Sequence, residues 1–164
     1  MAGAIDGLET VMDWQTFYGA MAGLTLMICL WSNDATLTKL AILLCGSWIF
    51  TLVVDSHMDK HQASIFVPIG EALIGLGVAA VGRKYQSLAA LAVVTLIFAG
   101  RLVDLSAILN HWEATTAYIV IGNILFAFCL AIVGGTGVVC GLDRRRSRRA
   151  DVRGSIGVGS WHPG

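Results

Sequence analysis

The sequence predicts an all-α fold: a polytopic membrane protein built as a bundle of five transmembrane helices. Hydrophobic residues make up 56% of the 164 residues and charged residues only 13%, whereas a soluble domain carries about 25% charged residues. Apolar runs recur along the chain, and each approaches the roughly 20 residues that cross a hydrocarbon core. The charges are concentrated between these runs and in the C-terminal segment.

Polar connections separate the predicted helices from one another. The helices are expected at about residues 16–31, 37–54, 64–82, 86–109 and 115–139. Tyr18, near the start of the first one, is a residue type typical of the membrane–water interface. The bundle is predicted to occupy residues 1–142, followed by a basic, Gly- and Ser-rich cytoplasmic tail over residues 143–164. No basic n-region precedes the first apolar run, so we expect no cleaved signal peptide.

The distribution of basic residues predicts the orientation in the membrane. Cytoplasmic loops carry an excess of Lys and Arg. If the C-terminus is cytoplasmic, then Lys39, Arg83, Lys84 and the arginines of the tail all lie inside, and Lys60 lies outside. We therefore expect a multi-pass protein of the cell inner (cytoplasmic) membrane, with its N-terminus outside and its C-terminus in the cytoplasm.

Polar residues within the apolar runs form the first candidate site. Counted from the outer boundary at 1.5 Å per residue, Glu71, Arg101 and Asn123 lie at a similar depth of roughly 10–12 Å. Asp104 follows Arg101 by three residues and shares its helix face. Charges at such depth are rare and are paired or functional. We expect Arg101 to face the bundle interior, paired with Glu71 or Asp104 and close to Asn123. The cluster either fixes helix packing or forms a hydrophilic path or an ion-binding site.

Small residues at a spacing of four predict where helices approach closely. Gly19 and Gly23 form a GxxxG pattern in the first predicted helix, and such patterns let helix backbones come into contact. Gly75 and Ala79 repeat this spacing in the third predicted helix. We expect these four positions to pack against helices.

The segment DSHMDKHQAS between the second and third helices alternates acidic residues with histidine. Asp55, His57, Asp59 and His61 are residue types that bind divalent metals. Their spacing matches no metal-binding motif such as HExxH. The preferred interpretation is a solvated polar loop, and neither a bound metal nor a cofactor is predicted.

The C-terminal tail is the most basic part of the chain. Arginines near a membrane surface each contribute on the order of 1 kcal/mol to binding anionic lipids. They could also serve only to fix the topology. The tail has no interleaved aromatic residues, so nucleic acid is not an expected partner. The residues predicted to contact lipid head groups are Arg144, Arg145, Arg146, Arg148 and Arg149.

The last three predicted helices carry an ordered set of motifs. Phe66, Pro68 and Glu71 open a helix as F-x-P-x-x-acidic, a basic turn reads GRKYQ, and a later run reads YIVIGNILFAF. Over about residues 64–133, the chain resembles small multi-spanning membrane proteins of tailed-phage and prophage genomes, some of which are described as holin-like. This resemblance implies a viral or prophage origin and implies no catalytic residues.

Four functions remain open at this point, and the fourth of them is a membrane enzyme with a metal at the outer loops. The chain has no GxSxG or Walker A motif, so we expect a non-enzymatic protein. The first function is a self-associating membrane protein of holin-like or small-channel type. The second is a structural or accessory subunit of a larger membrane assembly or a lipid-containing virion. The third is a small transporter that uses the polar cluster. The expected partners are the lipid bilayer with its anionic head groups and further copies or other subunits of a membrane complex.

Overall fold

The computed structural model describes the backbone of residues 2–85, 87–109 and 116–157, and the side chains of residues 15–59, 66–83, 87–102 and 121–149. Over these ranges the chain forms helices and no β-strand. The five helices are α1 (Ala2–Ser32), α2 (Ala35–His57), α3 (Lys60–Tyr85), α4 (Leu88–Leu109) and α5 (Thr116–Gly157). The predicted all-α class is therefore confirmed.

Two of the helices are much longer than the apolar runs that predicted them. α1 begins at Ala2 instead of near residue 16, and α5 continues to Gly157 instead of ending near residue 139. Apolar length marks only the part of a helix that fits a membrane, and a helix can continue into water. The stretch after Leu142 contains several arginines, which are good helix formers. The first part of the expected tail, up to Gly157, is therefore an extension of α5.

A capped turn joins α1 to α2. Asn33 has a φ of 53°, a left-handed conformation that asparagine tolerates better than most residues. Asp34 then caps α2, because its Oδ1 accepts hydrogen bonds from the backbone N–H groups of Thr36 at 2.9 Å and Leu37 at 3.0 Å. Such caps satisfy backbone donors that a helix start leaves open. The turn is therefore a defined structure that fixes the direction of α2.

The helices pack in a closed ring in which each helix contacts its neighbours in sequence, and α1 contacts α5. Consecutive helices run antiparallel. The Sγ of Cys45 on α2 lies 3.4 Å from the carbonyl oxygen of Ala22 on α1, and Leu43 faces Gly77 on α3. α1 and α5 run parallel. α2 also contacts α5 across the ring.

One end of the bundle collects the basic residues. We call it the basic end: it comprises the α1–α2 turn, the α3–α4 turn and the part of α5 from Gly141 onward. Trp31 at the end of α1 packs against Gly141, and Lys39 and Arg83 are exposed near the same end. This grouping follows from the antiparallel order and matches the side that the positive-inside rule assigns to the cytoplasm.

Aliphatic side chains fill the half of the bundle interior that is nearer the basic end. The largest fully buried residues there include Leu40, Leu44, Val78, Val93 and Leu130. They come from α2, α3, α4 and α5, so the four helices share one core. Close packing of this kind makes the core sensitive to changes of a single methyl group.

Three stretches of the described chain are long and apolar enough to cross a membrane. They are Ala35–His57, Phe66–Arg83 and Ile121–Arg149. α4 contributes a shorter apolar stretch, Leu88–Leu102. The many exposed large hydrophobic side chains of these helices suit a lipid environment. Length and composition thus support a membrane location, and the crossing of all five helices stays a prediction.

Candidate functional site

An ion pair joins α3 and α4 within their apolar stretches. Nη2 of Arg101 contacts Oε2 of Glu71, which is one of the two pairings expected from the sequence. Arg101 Nε and Nη1 are also buried. The side chain of Arg101 is 21% exposed and that of Glu71 is 25% exposed. The pair is therefore largely enclosed, but part of each charged side chain stays accessible.

The antiparallel register of α3 and α4 places the two charges at the same depth. Gly75 packs against Ile97, and Gly82 packs against Ala90. Continuing this register along both helices places residue 71 opposite residue 101. The small residues of α3 allow this close approach, and the ion pair follows from it.

The placement of the other two members of the predicted cluster, Asp104 and Asn123, beside Arg101 stays a prediction. Asp104 belongs to α4, and its side chain lies outside the described residues, so its pairing with Arg101 stays a prediction. Leu125 of α5 packs against Gly100 of α4. Asn123 lies two residues from Leu125, about 200° around the helix. Asn123 is half-buried, and its proximity to Arg101 stays a prediction.

Two aromatic side chains of α2 pack on glycines of the neighbouring helices. The ring of Trp48 lies against Gly19 of α1, and the ring of Phe50 lies against Gly70 of α3. Trp48 and Phe50 are two residues apart, so Gly19 and Gly70 lie at nearly the same depth. Residues 18 and 71, which adjoin these glycines, therefore also share a depth.

Tyr18, which lies at the same depth as Glu71, is buried, and its burial was not predicted from the sequence. It was expected at the membrane interface, but its side chain is only 7% exposed. Its ring meets that of Phe126 on α5 edge-to-face, with a centroid distance of 6.1 Å. A signal for this burial exists in the sequence, because Tyr18, Ala22, Thr25 and Cys29 follow helical spacing. All four are buried on one face of α1.

The predicted helix-packing residues have mixed outcomes. Gly19 packs on a side chain of α2, as described above, and Gly75 is buried against α4. Ala79 is half-buried on α3. Gly23 is exposed, and nothing described lies within 4 Å of the position that its Cβ would occupy. Of the two glycines in the GxxxG pattern, Gly19 therefore packs against a neighbouring helix within this copy of the chain, and Gly23 does not.

The polar segment between α2 and α3 is mostly helical and not an open loop. Asp55 and His57 lie in the last turn of α2, Asp59 lies between the helices, and His61 belongs to the first turn of α3. His57 Nδ1 lies 2.7 Å from Ser56 Oγ. Among the residues whose positions are described, no three His, Cys, Asp or Glu side chains are grouped to hold a metal. The side chain of His61 lies outside that set.

The arginines after residue 143 fall into two groups. Nη1 of Arg144 donates hydrogen bonds to the carbonyl oxygens of Ser32 at 3.0 Å and Asn33 at 2.5 Å. The guanidinium of Arg145 lies 4.7 Å from the ring centroid of Trp31, within cation–π distance. These two arginines therefore fasten α5 to the end of α1. The other predicted head-group residues are exposed along α5: Arg146, Arg148 and Arg149.

Comparisons of the chain with protein-family models, with curated proteins and with solved structures find no match. The resemblance to membrane proteins of tailed phages therefore stays a prediction. The proposed function therefore rests on the geometry of the ion pair and of the basic end.

Proposed function

We propose that this chain is a non-enzymatic integral protein of the cytoplasmic membrane that self-associates and acts as a holin-like protein or small channel. The observation that supports this most is the Glu71–Arg101 pair, because it lies within an apolar stretch and remains about a fifth to a quarter exposed. Charged side chains are costly inside a membrane unless protein or water surrounds them. A second copy or a water-filled path between copies would provide those surroundings.

The filled interior favours a path between copies over a path along the axis of one copy. Leu40, Leu44 and Val93 are each fully buried in the half nearer the basic end. A water-filled route along the axis would have to displace them. Side chains at the contact between two copies need no such rearrangement. The proposed path therefore requires that copies of the chain associate.

A second candidate is a structural or accessory subunit of a larger membrane assembly. The register of α3 and α4 favours it, because the ion pair continues the series of close contacts at Gly75 and Gly82. In this case the pair serves helix packing alone, and a partner subunit covers its accessible part. A transporter or ion-binding protein using the same pair is the third candidate.

The first prediction concerns topology. If all five helices cross the membrane, a fluorescent protein fused after residue 164 fluoresces in the cytoplasm, and alkaline phosphatase at the same position is inactive. The same reporters inserted between Asp59 and Lys60 give the opposite result. The basis is the basic end, which gathers Lys39, Arg83 and the arginines of α5 on one side. An active phosphatase at the C-terminus would contradict this orientation.

The second prediction concerns conduction. Expression in bacteria loaded with a membrane-potential dye is expected to depolarise the membrane, and purified protein in liposomes is expected to pass small ions. The double substitution Glu71→Gln with Arg101→Gln is expected to lower the flux at least tenfold, because it removes the charges within the span. Arg146→Gln, an exposed arginine on α5, is the matched control and is expected to leave the flux unchanged.

Counting photobleaching steps of labelled protein in the same liposomes tests self-association independently. Complexes of more than one copy together with ion flux support the proposal. Single copies without flux, in protein that remains helical by circular dichroism, would instead favour the accessory subunit.

A further inference from the structure

A groove runs between α3 and α4 where the two helices meet at the basic end. Ala79, Gly82 and Arg83 line it from α3, and Ala90 and Leu91 are among the residues that line it from α4. Its volume is about 360 Å³, which is within the range of roughly 300–1,000 Å³ typical of ligand pockets. Its lining is almost entirely apolar. The groove is separate from the Glu71–Arg101 pair, which lies about 16 Å away along α3.

Small residues create the groove. At Gly82 and Ala90 the helices approach so closely that a Cβ on Gly82 would lie 2.8 Å from the Cβ of Ala90. Beside this contact, the short side chain of Ala79 leaves space that a larger residue would fill. Leu88 and Leu91 of α4 are 82% and 62% exposed, and they form a wall that projects outward. The space is thus a furrow on the outer surface of an apolar helix pair.

The charge at the mouth of the groove identifies the class of ligand. Arg83 is exposed at the end of the furrow that lies at the basic end of the bundle, and Ser87 lies beside it. An apolar furrow of this kind accommodates an acyl chain, and a guanidinium at its polar end binds a phosphate group. We propose that the α3–α4 groove binds one anionic phospholipid, with its phosphate at Arg83 and an acyl chain along Ala79 and Val94.

Other occupants fit the groove less well. A free phosphate ion would contact Arg83 but would leave the apolar furrow unused. A zwitterionic lipid would fill the furrow, but its choline group would oppose the charge of Arg83. A phospholipid with net negative charge uses both features. Arg144 and Arg145 are engaged with α1, so Arg83 is the basic residue that lines the groove itself.

The test is lipid retention by the purified full-length protein. Protein stripped of lipid in mild detergent is titrated with phosphatidylglycerol or phosphatidylcholine, and bound lipids are counted by native mass spectrometry. We expect one phosphatidylglycerol to bind about tenfold more tightly than phosphatidylcholine. Arg83→Gln is expected to abolish this preference. Ala79→Leu, which fills the furrow without changing charge, is expected to weaken the binding of both lipids. Lys39→Gln, which removes an exposed cation of α2 at the basic end, is the matched control and is expected to leave the preference unchanged.

The melting temperature of each variant without added lipid checks that it remains folded. If a variant is unstable in detergent, the wild-type protein is measured instead. The readout is then the stabilisation of the wild-type protein by each lipid, with inorganic phosphate as a further probe. Equal binding of the two lipids, or unchanged preference in Arg83→Gln, would overturn the proposal. Stabilisation by inorganic phosphate equal to that by phosphatidylglycerol would assign Arg83 to a free anion and also overturn it.

Discussion

Replacement of Glu71 by glutamine is expected to destabilise the bundle by up to about 3–5 kcal/mol, which is the usual cost of removing one partner from a fully buried ion pair. The reason is the charge left behind. The guanidinium of Arg101 would then lie among the apolar stretches of α3 and α4 without the carboxylate of Glu71. Only part of its side chain is accessible, so solvent cannot replace the missing carboxylate fully.

The double variant Glu71→Gln with Arg101→Gln is expected to be more stable than Glu71→Gln alone. It removes the guanidinium together with the carboxylate that it contacts, and such non-additivity is characteristic of groups in contact. The measurement is reversible unfolding in mixed micelles, in which the fraction of denaturing detergent is raised and the loss of helix is followed. The two single variants and the double variant together give the coupling energy.

Arg146→Gln is the control for this cycle, because Arg146 is an exposed arginine on the extension of α5. It is expected to change the stability by less than about 0.5 kcal/mol, as is usual at surface positions. If the effects of Glu71→Gln and Arg101→Gln simply add, the two side chains are not coupled. The pair would then not organise the α3–α4 contact.

Substitution of Gly82 by alanine is expected to destabilise the bundle by about 1–3 kcal/mol, the usual range for overpacking. The new methyl group would lie 2.8 Å from the Cβ of Ala90. A Cβ atom cannot rotate away, so the backbones of α3 and α4 must separate. The separation would be felt along both helices, since the contacts at Gly75 and the ion pair at Glu71 belong to the same interface.

Gly23→Ala is the matched control, because Gly23 is also helical but has nothing described within 4 Å of its Cβ position. It is expected to be neutral or to stabilise the protein by about 0.5–1 kcal/mol, since alanine favours a helix over glycine. Adding Ala90→Gly to Gly82→Ala moves the methyl group to the other helix and is expected to recover most of the loss. Equal effects of Gly82→Ala and Gly23→Ala in the same micelle titration would contradict the close contact.

The sequence alone determined those features that depend on local composition. Apolar runs of membrane length give helices, because a chain without water must form its backbone hydrogen bonds internally. The turn at Asn33-Asp34 has a similarly local origin, since both residue types favour turns and helix caps. The sequence could not give the ends of α1 and α5, because both helices continue beyond their apolar runs and the predicted bounds followed those runs.

Depth could be counted from the sequence, but direction around a helix could not. The count along α3 and α4 placed Glu71 and Arg101 at one level, and the structure pairs them. The same count grouped Asn123 with them, but it could not tell that Leu125 is the residue of α5 that packs on Gly100 of α4. Rotation depends on which side chains interlock between helices, and this is a property of the whole bundle.

Tertiary packing also decided which small and basic residues form contacts between helices. Gly19 receives the ring of Trp48, whereas Gly23, one helical turn later, is exposed. Likewise, Arg144 reaches the carbonyl oxygens at the end of α1, while Arg146 does not take part in that contact. Within each pair the residue types are identical, so their sequence positions could not separate them. The distinction arises because α1 lies between α2 and α5 in a closed ring, and only one face of each helix meets its neighbours.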